Sequence, residues 1–499
     1  MESIGYQFLI QYFSLNVIPP YKCSYLTSRS VRTKEIFPDG ENEFFPQKFK
    51  TDGSWQEHLL FALKNEGINP QILNALFKKL DKNELLVLIQ QKIHSIYSRR
   101  IWFFYEFLMK EELPIPPIKT GNYDFALPQN EYFVLDEAHS VRAKRQRLWN
   151  NLPGNADFCP IVRITKKIKA KLNVNYENQI YDALKKYPAE LIYRANSFLY
   201  LKETKSSYAI ERQTPTQKRI ATFMAILQQA GKNTLTKDFL LKLQNAIVEE
   251  RYIENDYRND QVYVGQTLAP GRELIHFVGA KPEDVAGFMQ AWFDMAHRLL
   301  ESNGNPVIMA SIISFAFVFI HPFNDGNGRI HRYLLHHVLT AKKFNPDNII
   351  FPVSAVLYKQ PGLYDEMLES FSRKLMEKVD YVLADDGSMT VTNETGDFYR
   401  FINFTKIVED FFDVVEETLK TELIPELDYL IAWERARIKM RDVVDMPEKK
   451  ALQFIMFTQQ NNGKFPKSRR KNFEELSETE IEKLAAIVEQ EIISRNSKN

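Results

Sequence analysis

The residues richest in chemistry in this 499-residue chain stand together, as His321-Pro322-Phe323-Asn324-Asp325-Gly326-Asn327-Gly328-Arg329-Ile330-His331-Arg332. Gly326 and Gly328 free the backbone to aim successive N–H groups into one concavity, and the start of a following helix would add its positive dipole end. A phosphate would be at home there. Arg329 and Arg332, three apart, project from one helix face, where guanidinium forks can both bind phosphate oxygens. Asp325 is a hard oxygen ligand suited to a Mg²⁺ that bridges phosphates. His321, with an ordinary pKa of about 6.5, is mostly unprotonated at neutral pH and can accept a proton from an attacking hydroxyl. Phe323 reads as the anchor of the loop in the core, and His331 as structural.

Other chemistries fit these residues poorly. An EF-hand loop with its glycine at Gly328 would need carboxylates where Phe323 and Leu334 stand. No G-x-x-x-x-G-K-[ST] sequence occurs. His331, His336 and His337 lack the i, i+4 spacing and the cysteine or carboxylate company of a zinc site.

A loop of this kind needs rigid elements on both sides. Before it runs an apolar stretch, Val307 to Ile320, broken only by Ser311 and Ser314. It is shorter than the roughly 18 residues needed to span a bilayer and predicts a buried helix, with Asn305 as N-cap and Pro306 in the first position. After it, Tyr333 to Lys343 continues as helix. Upstream, Val262 and Val264, then Leu274 to Val278, flank a Pro270-Gly271 turn, which predicts a β-hairpin over 261–278.

Composition sets the frame. Hydrophobic residues make up 44% and charged residues 26%, with 18 glycines and 23 prolines, the profile of a mainly α protein with a large core. The formal net charge of +1 provides no global attraction to nucleic acid or an anionic membrane. Cys23 and Cys159 offer neither a disulfide framework nor metal spacing, and Met1-Glu2-Ser3 lacks the positive start of a secretory signal, so a cytoplasmic location is expected.

Breaks at Leu113-Pro114-Ile115-Pro116-Pro117 and Asp385-Asp386-Gly387-Ser388 suggest an N-terminal helical accessory region (1–120), a connecting region (121–203), a catalytic core (204–384) and a C-terminal helical region (385–499). Within the connecting region, Arg142 to Lys171 carries nine basic residues against Asp157 alone. This is either a face paired with acids elsewhere or a docking patch. Lys464, Lys467, Arg469, Arg470 and Lys471 precede a capping-box helix at Ser477 and Glu480, a pattern that could suit a winged-helix-like module at 447–499. Nucleic-acid binding is open but not favoured, and a homodimer is an open alternative.

The twelve-residue segment resembles the signature of the Fic family, H-x-F-x-[DE]-G-N-G-R-x-x-R, with every specified position matched. The resemblance implies an all-α core with the loop between two helices, a β-hairpin flap at 261–278 that lines up a target protein, and transfer of AMP from ATP, with Mg²⁺, to a Ser, Thr or Tyr hydroxyl. Carried over, His321 is the base and Asp325 holds Mg²⁺. Gly326, Asn327 and Gly328 steady the phosphate under attack, and Arg329 and Arg332 hold the outer phosphates. Ser207-Tyr208-Ala209-Ile210-Glu211-Arg212 resembles the inhibitory helix of the family, [ST]-x-x-x-E-[GN], which implies that Glu211 pairs with Arg332 at rest. Arg212 departs from that pattern. UMP, phosphate or phosphocholine transfer and AMP removal stay open, as does a nucleotide-sensing or DNA-binding regulator that modifies only itself.

Overall fold

The computed structural model describes residues 1–37, 40–269, 272–345 and 349–493, so the expected Pro270-Gly271 turn lies outside the described residues. The fold is mainly α, with eleven short strands among the described residues. Six helices frame the site and are numbered here in chain order: α1 (Ala189–Ile210), α2 (Lys237–Ile247), α3 (Pro282–Glu301), α4 (Pro306–Ile320), α5 (Asn327–Ala341) and α6 (Pro361–Met376).

The expected apolar helix is α4. The Asn305 side chain accepts from the N–H groups of Val307 and Ile308, Pro306 occupies the first turn, and every residue from Val307 to Ile320 is buried. A helix apolar all round belongs at the centre of a core, and α4 packs between α3 and α5. Ser311 and Ser314, the only polar residues in the run, return their hydroxyls to the carbonyls of Val307 and Ala310 one turn back.

Strands β8 (Tyr263–Ala269) and β9 (Arg272–Val278) pair antiparallel, with register irregularities at Val264/Gly265 and Thr267/Ala269. This is the expected hairpin. Its return strand β9 packs against α6. A second hairpin, β10 (Tyr381–Leu383) with β11 (Met389–Val391), occupies the break around Asp385 to Ser388.

The N-terminal region departs from its helical expectation. Alongside helices such as Trp55–Asn65 and Pro70–Phe77 it carries a four-stranded sheet: β1 (Glu2–Ile4), β2 (Lys22–Thr27), β3 (Thr33–Phe37) and β4 (Gly40–Pro46), in the spatial order β1-β2-β4-β3. The reason lies in its cross-strand pairs. Buried Glu43 takes ion pairs from Arg32 and Lys34, and Glu41 from Lys22 and Lys34, so charge pairs join the apolar cluster of Ile4, Leu26 and Phe45 in holding the strands together. The proline-rich crossing is irregular yet packed, with Leu113, Ile115 and Ile118 in the same core cluster as Trp102 and Phe104.

The basic stretch is largely paired. Arg142 lies over Trp149, Arg145 meets Glu106 and Glu112, and Lys167 and Lys171 both reach Asp413.

The chain divides into two compact units. One gathers Met1–Val174, Ser207–Phe344 and Leu357–Val415, and the other Asn175–Ser206, Asn345–Val356 and the chain from Glu416 onward. The second has its own apolar cluster, including Met440, Phe454, Phe473, Leu484 and Val488. The capping box forms as expected, with Ser477 and Glu480 exchanging hydrogen bonds at the start of Glu478–Val488. Over the region where a winged-helix-like module is expected, 447–499, the described residues are helical and carry no strand. The basic residues form a tight turn instead, where Arg470 is tied to Glu478 and to the carbonyls of Phe473 and Leu476.

Candidate active site

His321 ends α4 in a left-handed conformation, φ 56°, with its N–H still bonded to Phe317 O at 2.9 Å. Such backbone in a bulky residue costs free energy and clusters at functional sites. It turns the chain out of the helix into the glycine-rich loop. The imidazole Nδ1 lies 3.0 Å from Val318 O. A carbonyl can only accept, so we assign the proton to Nδ1, which leaves Nε2 as the acceptor. Burial, reinforced by the Arg258 guanidinium, pushes the pKa of His321 down to about 4, against the opposing pull of Glu211 and Asp325. At neutral pH it is a neutral base.

The loop is held from within. Asn327 donates from Nδ2 to Phe323 O at 2.6 Å and accepts the Phe323 N–H at 3.1 Å, while the Phe323 ring is fully buried near Tyr257 and Phe317. Phe323 is thus the expected anchor, and the Asn327 side chain braces the loop. Gly326, at φ 93°, caps α5 in the left-handed region, where glycine is at ease.

Asp325 Oδ1 accepts the N–H of Gly326 and the Nη2 of Arg329, both at 2.6 Å. Arg329 also donates from Nη1 to Ile247 O at 2.8 Å and to Gln213 Oε1 at 3.1 Å. Arg332 donates from Nε to Ser207 Oγ and from Nη2 to Ser207 O, both at 2.8 Å, and to Glu211 Oε1 at 2.7 Å. Helical spacing places the two arginines on one face, but packing gives each its own partners and leaves both side chains only 1% exposed. Gly328 explains how Glu211 reaches this place: a Cβ there would overlap Glu211 Oε1.

The end of α1 accounts for Arg212. Its N–H bonds to Ala209 O and that of Gln213 to Tyr208 O, with Arg212 at φ 54°. This is a Schellman closure, whose left-handed position favours Gly or Asn. Arg212 adopts the turn nonetheless.

Several site residues carry no sequence signal. Tyr364, from α6, lies beside the Arg332–Glu211 pair, and burial pushes its hydroxyl up to about 12. Glu254 accepts the Asn324 N–H at 2.9 Å, and burial raises its carboxyl. Arg258 reaches the backbone of His321. All three are isolated polar residues in stretches without a motif. His331 is buried edge-on against Phe315, at 4.4 Å between centroids.

The Fic/DOC family model matches residues 234–339, from the start of α2 through nearly all of α5. Residues 234–339 are a Fic/DOC-type domain. The Fic match includes the loop and the flap, while Ser207 and Glu211 lie upstream of it. Among curated relatives, the protein adenylyltransferase Fic of Drosophila willistoni is 35% identical over 97 residues, 19% of this chain and 17% of that protein. The protein of the same name from Drosophila melanogaster is 35% identical over 100 residues, with the same coverage of 19% and 17%. The chain therefore spans about a sixth of the length of these Fic relatives. A solved Fic family protein from Desulfovibrio desulfuricans is 19% identical, covers 55% of this chain and 80% of its own, and has a TM-score of 0.39. Among the described residues no helix is long and apolar enough to cross a membrane.

Proposed function

We propose that this chain is a protein adenylyltransferase, moving AMP from ATP to a Ser, Thr or Tyr hydroxyl of a target protein and of itself, and restrained by Glu211. The observation that carries the reading is a neutral imidazole, fixed by Val318 O, beside the amide-rich start of α5. In the reaction the target hydroxyl attacks the α-phosphorus, its proton passes to His321 Nε2, the bond to the β-phosphate bridging oxygen breaks, and pyrophosphate leaves. Most of the acceleration comes from placement and charge neutralisation. The N–H groups of Asn327 and Gly328, at the start of α5, can receive phosphate oxygen, while that of Gly326 is held by Asp325, and the exposed apolar positions Val264, Leu268 and Leu274 give the flap a surface on which a target segment can lie by strand addition.

Asp325 fits the role of Mg²⁺ ligand, because both of its hydrogen bonds fall on Oδ1. Among the described residues no cluster of three His, Cys, Asp or Glu could hold a metal, so ATP oxygens and water would complete the coordination. When bound, the ion neutralises phosphate charge. Arg332 is spent on Ser207 and Glu211, and an outer phosphate reaches it only once Glu211 withdraws. Restraint by Glu211 follows.

Intact-mass analysis after incubation with ATP and Mg²⁺ tests the reading. Glu211→Gly is expected to add AMP to itself about tenfold or more faster than the parent, in the range of ordinary coupling free energies. His321→Ala in that background should lose about 10²-fold or more. AMP addition that survives His321→Ala overturns the mechanism, and a Glu211→Gly rate no higher than the parent's overturns the restraint.

A further inference from the structure

Arg258 lies in the irregular stretch between α2 and β8 and is only 2% exposed. Among the described residues no carboxylate is within ion-pair distance of it. Its guanidinium donates to main-chain carbonyls alone: from Nε to His321 O at 2.7 Å, from Nη1 to Asp260 O at 2.6 Å, and from Nη2 to Ala280 O. Its own N–H donates to Pro322 O at 3.0 Å. A charge buried without a counter-ion is costly, and its desolvation pushes the pKa of Arg258 down to about 10. Stability alone would be better served by an apolar side chain.

What the cost maintains is a junction. Asp260 and Ala280 bracket the two ends of the flap, and His321 and Pro322 open the glycine-rich loop. The flap root is stitched further by Gly279 N–H to Val262 O at 3.0 Å, by Gln261 Nε2 to Gly279 O at 2.8 Å, and by the buried Tyr399 hydroxyl to Val278 O at 2.6 Å. Gly279 marks the point of convergence: a Cβ there would stand 3.0 Å from Val262 Cγ2, 3.1 Å from Arg258 Nη2 and 3.2 Å from His321 Cβ. The approach is closer than ordinary packing allows.

We propose that Arg258 is a positioning residue that clamps the root of the flap to the backbone of His321 and so fixes the spacing between a target segment laid on the flap and the base that deprotonates it. The inference rests on the transferase reading above. The same guanidinium also helps to keep the imidazole neutral, opposed by Glu211 and Asp325. The fork geometry matters as much as the charge, because a lysine ammonium cannot span three carbonyls on two segments.

The test uses the full chain in the Glu211→Gly background, with Arg258→Gln and Arg258→Lys. Hydrogen exchange, which needs no activity, should show the flap-root amides of Val262, Val278 and Gly279 and that of His321 exchanging at least tenfold faster in Arg258→Gln, while β2 and β4 stay unchanged. Self-modification should lose about 10- to 100-fold in kcat with KM for ATP within about twofold, as expected for misplaced reacting groups, and Arg258→Lys should recover part of it. Unchanged exchange at both segments overturns the clamp. Accelerated exchange across the whole chain, or a fall in kcat matched by a rise in KM, makes Arg258 a folding residue only and overturns it too. If the Glu211→Gly parent adds no AMP, the transferase reading fails, and the exchange pattern still decides the clamp.

Discussion

Arg212 stands at φ 54°, where the helix bearing Ser207 closes. A side chain with a Cβ in that conformation costs about 1–2 kcal/mol relative to glycine, so Arg212→Gly should stabilise the protein by about 1 kcal/mol in denaturant unfolding. Self-modification should not rise, since Arg212→Gly keeps the left-handed turn that holds Glu211 and leaves the side chains of the Glu211–Arg332 contact unchanged. That contact depends on a second single residue, Gly328, whose missing Cβ makes room for the carboxylate. On the proposed reading the motif residues serve two states: the glycine that would let a phosphate approach the backbone also admits the glutamate that would keep it out. The pairing of Glu211 with Arg332, 121 positions apart, was legible because both ends carry a recognisable pattern. The separate anchoring of Arg329 on Ile247 O and Gln213 was not, because a shared helix face says nothing about what packs above it.

At the scale of elements, the N-terminal helix Tyr6–Tyr12 is capped from a distance. Its first N–H, at Tyr6, donates to Glu66 Oε2 at 2.7 Å, and Gly5 leaves the room that a Cβ would take from that carboxyl. Burial pushes the pKa of Glu66 up to about 7. The sign follows from linkage: the folded state holds the proton more tightly than the unfolded state, so stability falls as pH rises from the ordinary carboxyl range through about 7. Glu66→Gln keeps the acceptor and removes the charge. Its unfolding free energy should match the parent's at low pH and exceed it by up to about 3 kcal/mol at pH 8, as read from denaturant curves at both values. Helix limits such as Asn305-Pro306 and Ser477 with Glu480 were readable from caps alone. The four-stranded sheet was not, because its β4 carries Glu41 and Glu43, whose ion pairs across the sheet resemble surface charge in a linear scan.

At the scale of the molecule, the two compact units are not consecutive in the chain. The second is assembled from three stretches, joined by contacts such as Tyr176 to Glu416 at 2.7 Å and Lys202 to Glu422 at 2.8 Å. Cutting the chain after Val415 would leave Asn175–Ser206 without its partners and uncover Leu191 and Phe198, which line a cleft with Leu430, Trp433 and Leu452. An exposed apolar face of this kind promotes association. The 1–415 fragment should elute as aggregate in size-exclusion chromatography and bind a hydrophobic dye, whereas the full chain should do neither. A well-behaved monomeric fragment would show that the second unit is dispensable for folding the first.

By itself the sequence determined the parts whose cause is local: the glycine-shaped loop, the apolar helix before it, the helix caps, the hairpin and the anchor Phe323, each set by residue type and short-range spacing. It also located Glu211, the partner of Arg332, through a short pattern placed upstream. Only the tertiary structure decided which charges are buried and what they meet. Arg258 lies 63 positions from His321, Glu66 60 from Tyr6, and Tyr364 comes from another helix altogether. No periodicity links such residues, because the free energy that fixes a buried charge comes from the carbonyls and carboxyls that folding brings around it.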